Sequence, residues 1–137
     1  MEKQEKGKRQ EISQEILYKL GMFEKNMEML NQQLELVEKS ILDLGSLDFG
    51  MDEIEDSIGK EVLAQLGRGI FLKTKLISNE VVVDVGGKNF VKKSIPETKK
   101  IIKEQIEKLN QIKKELEEEI EKIDKEAAKL IFDSSAN

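Results

Sequence analysis

The chain has no cysteine, histidine or tryptophan, and it has one tyrosine and one proline among its 137 residues. Without cysteine it cannot form disulfides, and without cysteine and histidine it lacks the ligands of most zinc sites. The missing histidine also removes the side chain that most often carries protons near neutral pH. We therefore expect no metal site, no cofactor and no enzymatic activity.

Charge of both signs is abundant, since 37% of the residues are charged, and the net charge is −5. A nucleic-acid-binding surface needs an excess of basic residues, so this balance argues against such a partner. No apolar run approaches the length of a membrane span, and the N-terminal sequence MEKQEKGKRQ has no hydrophobic segment of a signal peptide. We expect a cytoplasmic protein that binds neither nucleic acid nor membrane.

The first part of the chain contains apolar residues at alternating spacings of four and three. They are Ile16, Leu20, Phe23, Met27, Leu30, Leu34, Val37, Ile41 and Leu44. Such a repeat is typical of a helix that supercoils on a partner helix, with Ile16 at a d position and Leu20 at an a position of the heptad. We predict a helix from about Gln10 to about Leu44, ended by Gly45 and the triplet at 48–50.

The last part carries a second repeat of this kind, which consists of Ile102, Ile106, Leu109, Lys113, Leu116, Ile120, Ile123, Ala127 and Leu130. Ser94 and Glu97 have the spacing of a capping box, and Pro96 lies in the first turn, so a second helix should begin here. Two repeats of equal length predict an antiparallel hairpin, with Leu44 near Ile102 and Ile16 near Leu130. Lys113 is the one polar residue of this repeat, and we interpret it as a register determinant or as a side chain that reaches water.

The middle of the chain changes to short β-branched runs separated by glycines and polar turns. The runs cover residues 62–66, 70–77, 81–85 and 89–93. They predict four strands in two β-hairpins, which are marginal alone and have open edges for pairing with other chains. The predicted fold is α+β, a long antiparallel coiled-coil hairpin with a small four-stranded oligomerisation body between the helices. Its segments are an N-terminal helix, 1–44, a linker and β body, 45–93, and a C-terminal helix, 94–137.

Two glycine-containing motifs could suggest chemistry. Gly67-Arg68-Gly69 has the glycines of a phosphate-binding loop, but it lacks the rest of a nucleotide-binding fingerprint, and a turn or bulge is the better interpretation. Asp48-Phe49-Gly50 spells the metal-binding triplet of protein kinases, but no other kinase motif is present. The carboxylates alternate with lysines on predicted helix faces, which is typical of solvated surface.

The ends of the predicted arm are the best candidates for binding a partner. Adjacent apolar residues cannot all face a two-helix seam, so part of this apolar surface should be exposed at the tip. The candidate residues are Ile12, Ile16, Leu17, Leu130, Ile131 and Phe132. For assembly through the β body, the candidates are Leu66, Ile70, Phe71, Leu72, Leu76, Val81, Val83, Val85 and Phe90.

Residues 66–76 (LGRGIFLKTKL), 81–87 (VVVDVGG) and 91–94 (VKKS) resemble the strand motifs of prefoldin subunits of the α class. The resemblance spans nearly the whole chain and implies an ATP-independent holdase. Subunits of this family join through β-hairpins into a platform, grip unfolded proteins with their coiled-coil tips and deliver them to a group II chaperonin. The expected partners are therefore unfolded clients, a group II chaperonin, and further copies or β-class subunits. Divergent archaeal α-like paralogues, the γ-prefoldins, are also similar and are associated with filaments.

Two other functions remain open. In the first, filament formation is the function, and client binding is incidental to a scaffold role. In the second, the coiled coil is a tether or adaptor that binds one folded partner.

Overall fold

The computed structural model describes the backbone of residues 2–135 and the side chains of residues 14–135. Two long helices flank four strands, in the order α1 (Glu2–Glu55), β1 (Glu61–Gly67), β2 (Ile70–Lys75), β3 (Glu80–Asp84), β4 (Phe90–Ser94) and α2 (Ile95–Ser135). The predicted α+β fold with two β-hairpins is confirmed. The chain divides into two compact units, one of Met1–Lys39 with Asn110–Asn137 and one of Ser40–Leu109.

The first unit contains the two stretches of helix that carry most of the 4-3 repeat. Every repeat residue of α1 in this unit is half-buried, whereas Leu17 and Tyr18 beside the repeat are exposed. On α2, Leu116 is 8% exposed and the other repeat residues from Lys113 to Leu130 are half-buried. The seam between the helices is therefore the one that the sequence predicted.

The helices pair in a register that differs from the predicted one at the arm. An ion pair joins Lys113 Nζ to Glu38 Oε1 at 3.7 Å. This pair places Lys113, at an a position, opposite Val37, at a d position. Counting along the seam toward the N-terminus of α1 and the C-terminus of α2 then places Leu20 opposite Leu130. The prediction that Ile16 faces Leu130 is off by about one turn, because it set two d positions opposite each other, whereas an antiparallel seam alternates a with d.

The second unit has a small apolar core at the junction of helices and strands. Met51, Ile95 and Ile102 are buried, and Ile95 is fully enclosed. The residues packed against them are Leu44, Ile54, Val81 and Ile106. Helix α2 begins as predicted, because the Glu97 amide donates to Ser94 Oγ at 3.2 Å and Thr98 Oγ1 donates to the Ser94 carbonyl at 2.9 Å.

Helix α1 continues past Leu44 to Glu55, and it begins at Glu2 rather than near Gln10. The predicted stop is wrong, because Gly45 and Gly50 both lie inside the helix. Each costs about 1 kcal/mol relative to alanine. Burial of Met51 and Ile54 against the core offsets this cost, at roughly 1.5–3 kcal/mol for a fully buried side chain. The assignment of separate roles to 1–44, 45–93 and 94–137 stays a prediction.

Candidate assembly and client-binding surfaces

A tight turn at Gly67-Arg68-Gly69 joins β1 to β2. Arg68 and Gly69 have φ angles of 49° and 76°, so both central residues of this two-residue loop are left-handed, as a type I′ hairpin turn requires. The register shifts between Gln65 and Gly67, which is a bulge next to the turn. The glycines therefore serve chain reversal, as the sequence indicated, and no helix follows to bind a phosphate.

The second hairpin reverses in a similar way. Gly87 and Lys88 have φ angles of 61° and 63°, and the Asn89 amide donates to the Gly86 carbonyl at 3.1 Å. Asp84 Oδ1 accepts from the Gly86 amide at 2.9 Å and fixes the end of β3. Both hairpin turns thus present one basic side chain, Arg68 or Lys88, from a left-handed position.

The register of β1 and β2 sorts their side chains onto two unlike faces. Directly opposed residues share a face, so Val62 with Thr74 and Ala64 with Leu72 define one side. Glu61 with Lys75, Leu63 with Lys73, and Gln65 with Phe71 define the other. The first side has no charge, and its apolar residues become more exposed toward the turn, where Ile70 and Leu72 are 60% and 53% exposed.

The faces of the second hairpin differ in burial. Val81 packs on the core of the second unit, and Val83, on the same face, is also half-buried. Val82 and Phe90 point to the other face and are 63% and 66% exposed. This hairpin is therefore partly covered on one side, where Val91 opposite Val83 is still 42% exposed, and open on the other.

The predicted assembly residues do not share one face. Of the nine, those exposed are Leu66, Ile70, Phe71, Leu72, Val85 and Phe90, while Leu76, Val81 and Val83 are half-buried. Phe71 lies on the charged face of the first hairpin, opposite to Leu72. The prediction omitted the exposed Leu63, Val82 and Val91. Strict alternation along each strand could have revealed them.

Each hairpin forms its own two-stranded sheet. Within the described residues, every strand thus pairs on one side only, and its other edge offers free backbone groups. An isolated two-stranded hairpin is at best marginally stable in water. The exposed apolar residues and the free edges together make these hairpins suitable for pairing with other chains.

At the far end of the arm, the predicted tip residues fall into two groups. Ile16 and Leu130 are half-buried in the seam, whereas Leu17, Ile131 and Phe132 are 64%, 52% and 71% exposed. Ile12 lies outside the residues whose side chains are described. Leu17 and Ile131 both occupy e positions, which lie along the same edge of an antiparallel coiled coil. The arm therefore presents an exposed apolar pair where its seam ends.

Ionic contacts cross between the helices at equivalent heptad positions. Lys113 reaches Glu38, and Lys99 hydrogen-bonds and ion-pairs with Asp52. Each lysine is at an a position, and each acid follows a d position of α1. The bond to Asp52 raises the pKa of Lys99 more than partial burial lowers it, and the charges of Asp48 and Glu55 add to the increase. Lys113 thus extends from the seam to an acid at its edge.

The described part of the chain contains neither a candidate metal site nor a candidate membrane-spanning helix. Its Asp and Glu side chains form no group of three or more that could hold a metal ion. None of its helices contains a segment with the length and apolarity needed to cross a membrane.

The arrangement of two seam helices around two hairpins matches a known family. The family model described as prefoldin subunit matches residues 18–131, which include the first 4-3 repeat from Leu20 onward, the whole second repeat and all four strands. The chain belongs to the prefoldin subunit family. Prefoldin is a chaperone family, so a prefoldin-type chaperone role follows for this chain.

The curated prefoldin relatives support the α class. The chain is 29% identical to prefoldin subunit alpha of Methanosphaera stadtmanae over 94 residues, 69% of this chain and 67% of the relative. It is 28% identical to prefoldin subunit alpha of Methanobrevibacter smithii over 92 residues, 66% of this chain and 63% of the relative. The match therefore spans about two thirds of each relative.

Among solved structures, the fold is similar to that of a chain of the filamentous prefoldin from Methanocaldococcus jannaschii. The TM-score is 0.69 at 22% identity, and the similarity covers 83% of this chain and 96% of the other. At this identity the likeness concerns the fold. The resemblance to prefoldin that the strand motifs indicated is confirmed.

Proposed function

We propose that this chain is a subunit of an ATP-independent holdase that assembles through its β-hairpins and captures unfolded proteins at its arm tips. Exposed Leu17, Ile131 and Phe132 at the end of the seam are the observation that supports capture. A small apolar surface binds weakly but tolerates many sequences. Several arms on one assembly then bind a client by avidity.

We further propose that captured clients pass to a group II chaperonin, and that the chain pairs with copies of itself or with β-class prefoldin subunits. The uncharged face of the first hairpin supports pairing, because Ile70 and Leu72 together leave apolar surface that another strand pair could cover. Covering one such side chain contributes roughly 1–2 kcal/mol at these exposures.

Capture is tested by replacing Leu17, Ile131 and Phe132 with glutamine. Glutamine has a high helix propensity, so the helices are kept, but its side chain is polar. The control replaces Glu118 and Lys125, outward residues of the same arm, with glutamine. Light scattering then follows the aggregation of a denatured client, and native mass spectrometry follows assembly. We expect the tip variant to need roughly tenfold more protein for the same protection, at unchanged mass. Equal protection by wild type and tip variant would show that the tip assignment is wrong.

A filament-forming scaffold is the second candidate. The free edges of two separate two-stranded sheets favour it, because a subunit with two independent pairing sites can continue as a fibre as well as close into a ring. The structural relative from Methanocaldococcus jannaschii is described as filamentous. Electron microscopy of the purified chain, alone and with a β-class subunit, separates the two. Filaments that protect no denatured client would favour the scaffold role.

Delivery to a chaperonin is tested after capture. A client held by the chain should refold when a group II chaperonin and ATP are added, and more slowly when the chain is left out. Saturable binding to one folded protein, with none to unfolded chains, would instead indicate a tether.

A further inference from the structure

The second hairpin repeats the first one 19 residues later along the chain. Glu61 opposite Lys75 corresponds to Glu80 opposite Ser94, and the next four opposed pairs keep the same register. The turns have the same conformation, because the φ angles of residues 67–69 are 128°, 49° and 76° and those of residues 86–88 are 122°, 61° and 63°. The residues that are identical in the two hairpins are Glu61 and Glu80, Val62 and Val81, Gly67 and Gly86, Phe71 and Phe90, and Lys73 and Lys92. The hairpins are therefore structural equivalents of each other.

This equivalence indicates which face of the first hairpin is suited to be covered. In the second hairpin, the face of Val81 and Val83 is partly covered by the core of the second unit. The equivalent face of the first hairpin carries Val62, Ala64 and Leu72 and has no charge. Leu72 on this face is 53% exposed, so within the described residues the face has no cover equivalent to that core. We expect another chain to cover it.

The two strands of each hairpin carry opposite charges. On the first strands, β1 has Glu61 and β3 has Glu80 and Asp84, with no basic residue on either. The second strands, β2 and β4, have two lysines each and no acidic residue. The ion pairs found among the described residues all lie on the helices, so none of them uses these strand charges. The free edge of β2 therefore favours the edge of a first strand over that of another second strand.

Of the two first strands, β3 is the better partner for β2 of another copy. Glu61 at the start of β1 already lies opposite Lys75 of its own hairpin, whereas Glu80 at the start of β3 lies opposite the uncharged Ser94. Glu80 and Lys73 are both exposed. A lysine of β2 thus meets an acid without a cationic partner across its own hairpin.

One antiparallel register of β2 against β3 of a second copy matches both faces of the strands. It sets Lys73 opposite Glu80, Leu72 opposite Val81, Phe71 opposite Val82, and Ile70 opposite Val83. Opposite charges, and an aromatic residue opposite a β-branched one, are pairs that stabilise antiparallel strands. Leu72 and Ile70 then continue the partly covered side of the second copy's hairpin. The other face of the joined sheet is balanced in charge, since it holds Glu61, Lys73 and Lys75 of one copy and Glu80, Asp84 and Lys92 of the other.

We propose that β2 of this chain pairs with β3 of a second copy in this register, and that Lys73 and Glu80 select it. The proposal rests on the assembly function proposed above and names the partner and the strands that meet. The same four pairs also form between β3 of the first copy and β2 of the second. The contact is therefore self-complementary and closes a two-fold dimer.

The test exchanges charges between two variants of the full chain. Lys73→Glu sets two acids opposite each other in a dimer of that variant, and Glu80→Lys sets two lysines opposite each other. A mixture of the two variants restores opposite charges at both contacts of a mixed dimer. Sedimentation velocity at low salt measures the concentration at which half of the chain is dimeric.

We expect each variant alone to need a roughly tenfold higher concentration than wild type, and the equimolar mixture to associate like wild type. Native mass spectrometry, with one variant isotopically labelled, should show dimers that contain one copy of each variant. Lys108→Glu is the matched control, since Lys108 is an exposed lysine of α2, and it should associate like wild type. Circular dichroism checks that each variant keeps its secondary structure.

Three outcomes would overturn the proposal. Unchanged association of both variants would exclude the contact and would fit edge lysines that only prevent pairing. Rescue of Lys73→Glu by Glu61→Lys, and not by Glu80→Lys, would show that β2 pairs with β1 instead. A wild type that stays monomeric alone and assembles only with a β-class subunit refutes this inference alone, whereas a wild type that assembles in neither case also refutes the assembly function.

Discussion

Asp48 interrupts the seam of α1 in the second unit, and replacing it should stabilise the protein. It follows Leu44 by four residues and precedes Met51 by three, so it continues the 4-3 repeat as an a position. The residue is half-buried, and its Oδ1 atom is buried without a hydrogen-bond partner in the described structure. An unpaired buried polar atom costs about 1–3 kcal/mol.

We expect Asp48→Leu to raise the free energy of unfolding by about 2 kcal/mol. Removing the unpaired oxygen contributes about 1–3 kcal/mol, and a half-buried leucine adds about 1 kcal/mol. Part of this gain is lost, because the charge of Asp48 supports the ammonium group of Lys99. With a slope of about 2 kcal/mol per molar urea, the midpoint of unfolding should rise by about 1 M.

The assay is urea unfolding followed by circular dichroism at one protein concentration, because assembly adds to apparent stability. Asp48→Asn serves as one control, since its amide would still be buried. Asp43→Leu serves as another, since Asp43 is exposed on the same helix and tests helix propensity alone. The reasoning is refuted if Asp48→Leu is no more stable than wild type, or if either control gains as much.

Two further predictions concern backbone conformation and pH. Gly21→Ala should stabilise by about 1 kcal/mol, because Gly21 lies inside α1 with nothing within 4 Å of an added Cβ. Gly69→Ala should destabilise by about 1–2 kcal/mol, because its φ of 76° is unfavourable for alanine although the site is open. A lower urea midpoint for Gly21→Ala than for Gly69→Ala would contradict both expectations. For Lys99 the folded pKa is raised, so its stabilisation is present below the unfolded pKa and is lost as pH rises through the folded pKa. Lys99→Arg should therefore have the same melting temperature as wild type near pH 8 and a higher melting temperature than wild type near pH 11, since arginine keeps its charge. If the variant and wild type melt at the same temperature at each of the two pH values, this ion pair is not a source of stability.

The sequence predicted correctly those parts of the fold that depend on the periodicity of apolar residues. The seam residues on both helices and the two hairpins followed from spacings of four and three and from β-branched runs between turns. The end of α1 was mispredicted, because Gly45 and Gly50 have low helix propensity and only the tertiary contacts of Met51 and Ile54 reveal why the helix continues.

The candidate surfaces were harder to predict than the fold. Alternation along β2 places Phe71 and Leu72 on opposite faces, but which β1 residues join each of them depends on strand register, which sets Gln65 opposite Phe71 and Ala64 opposite Leu72.

The distance along the chain between the two halves of the seam has a consequence for synthesis. Leu34 faces Leu116 in the register set by the Lys113–Glu38 ion pair. The partner of Leu34 leaves the ribosome roughly eighty residues later, which takes about 4–16 s at 5–20 residues per second. During that interval the apolar edge of α1 has no α2 to cover it. The nascent subunit is thus for several seconds an incomplete chain with exposed apolar surface, which is the kind of surface that chaperones bind.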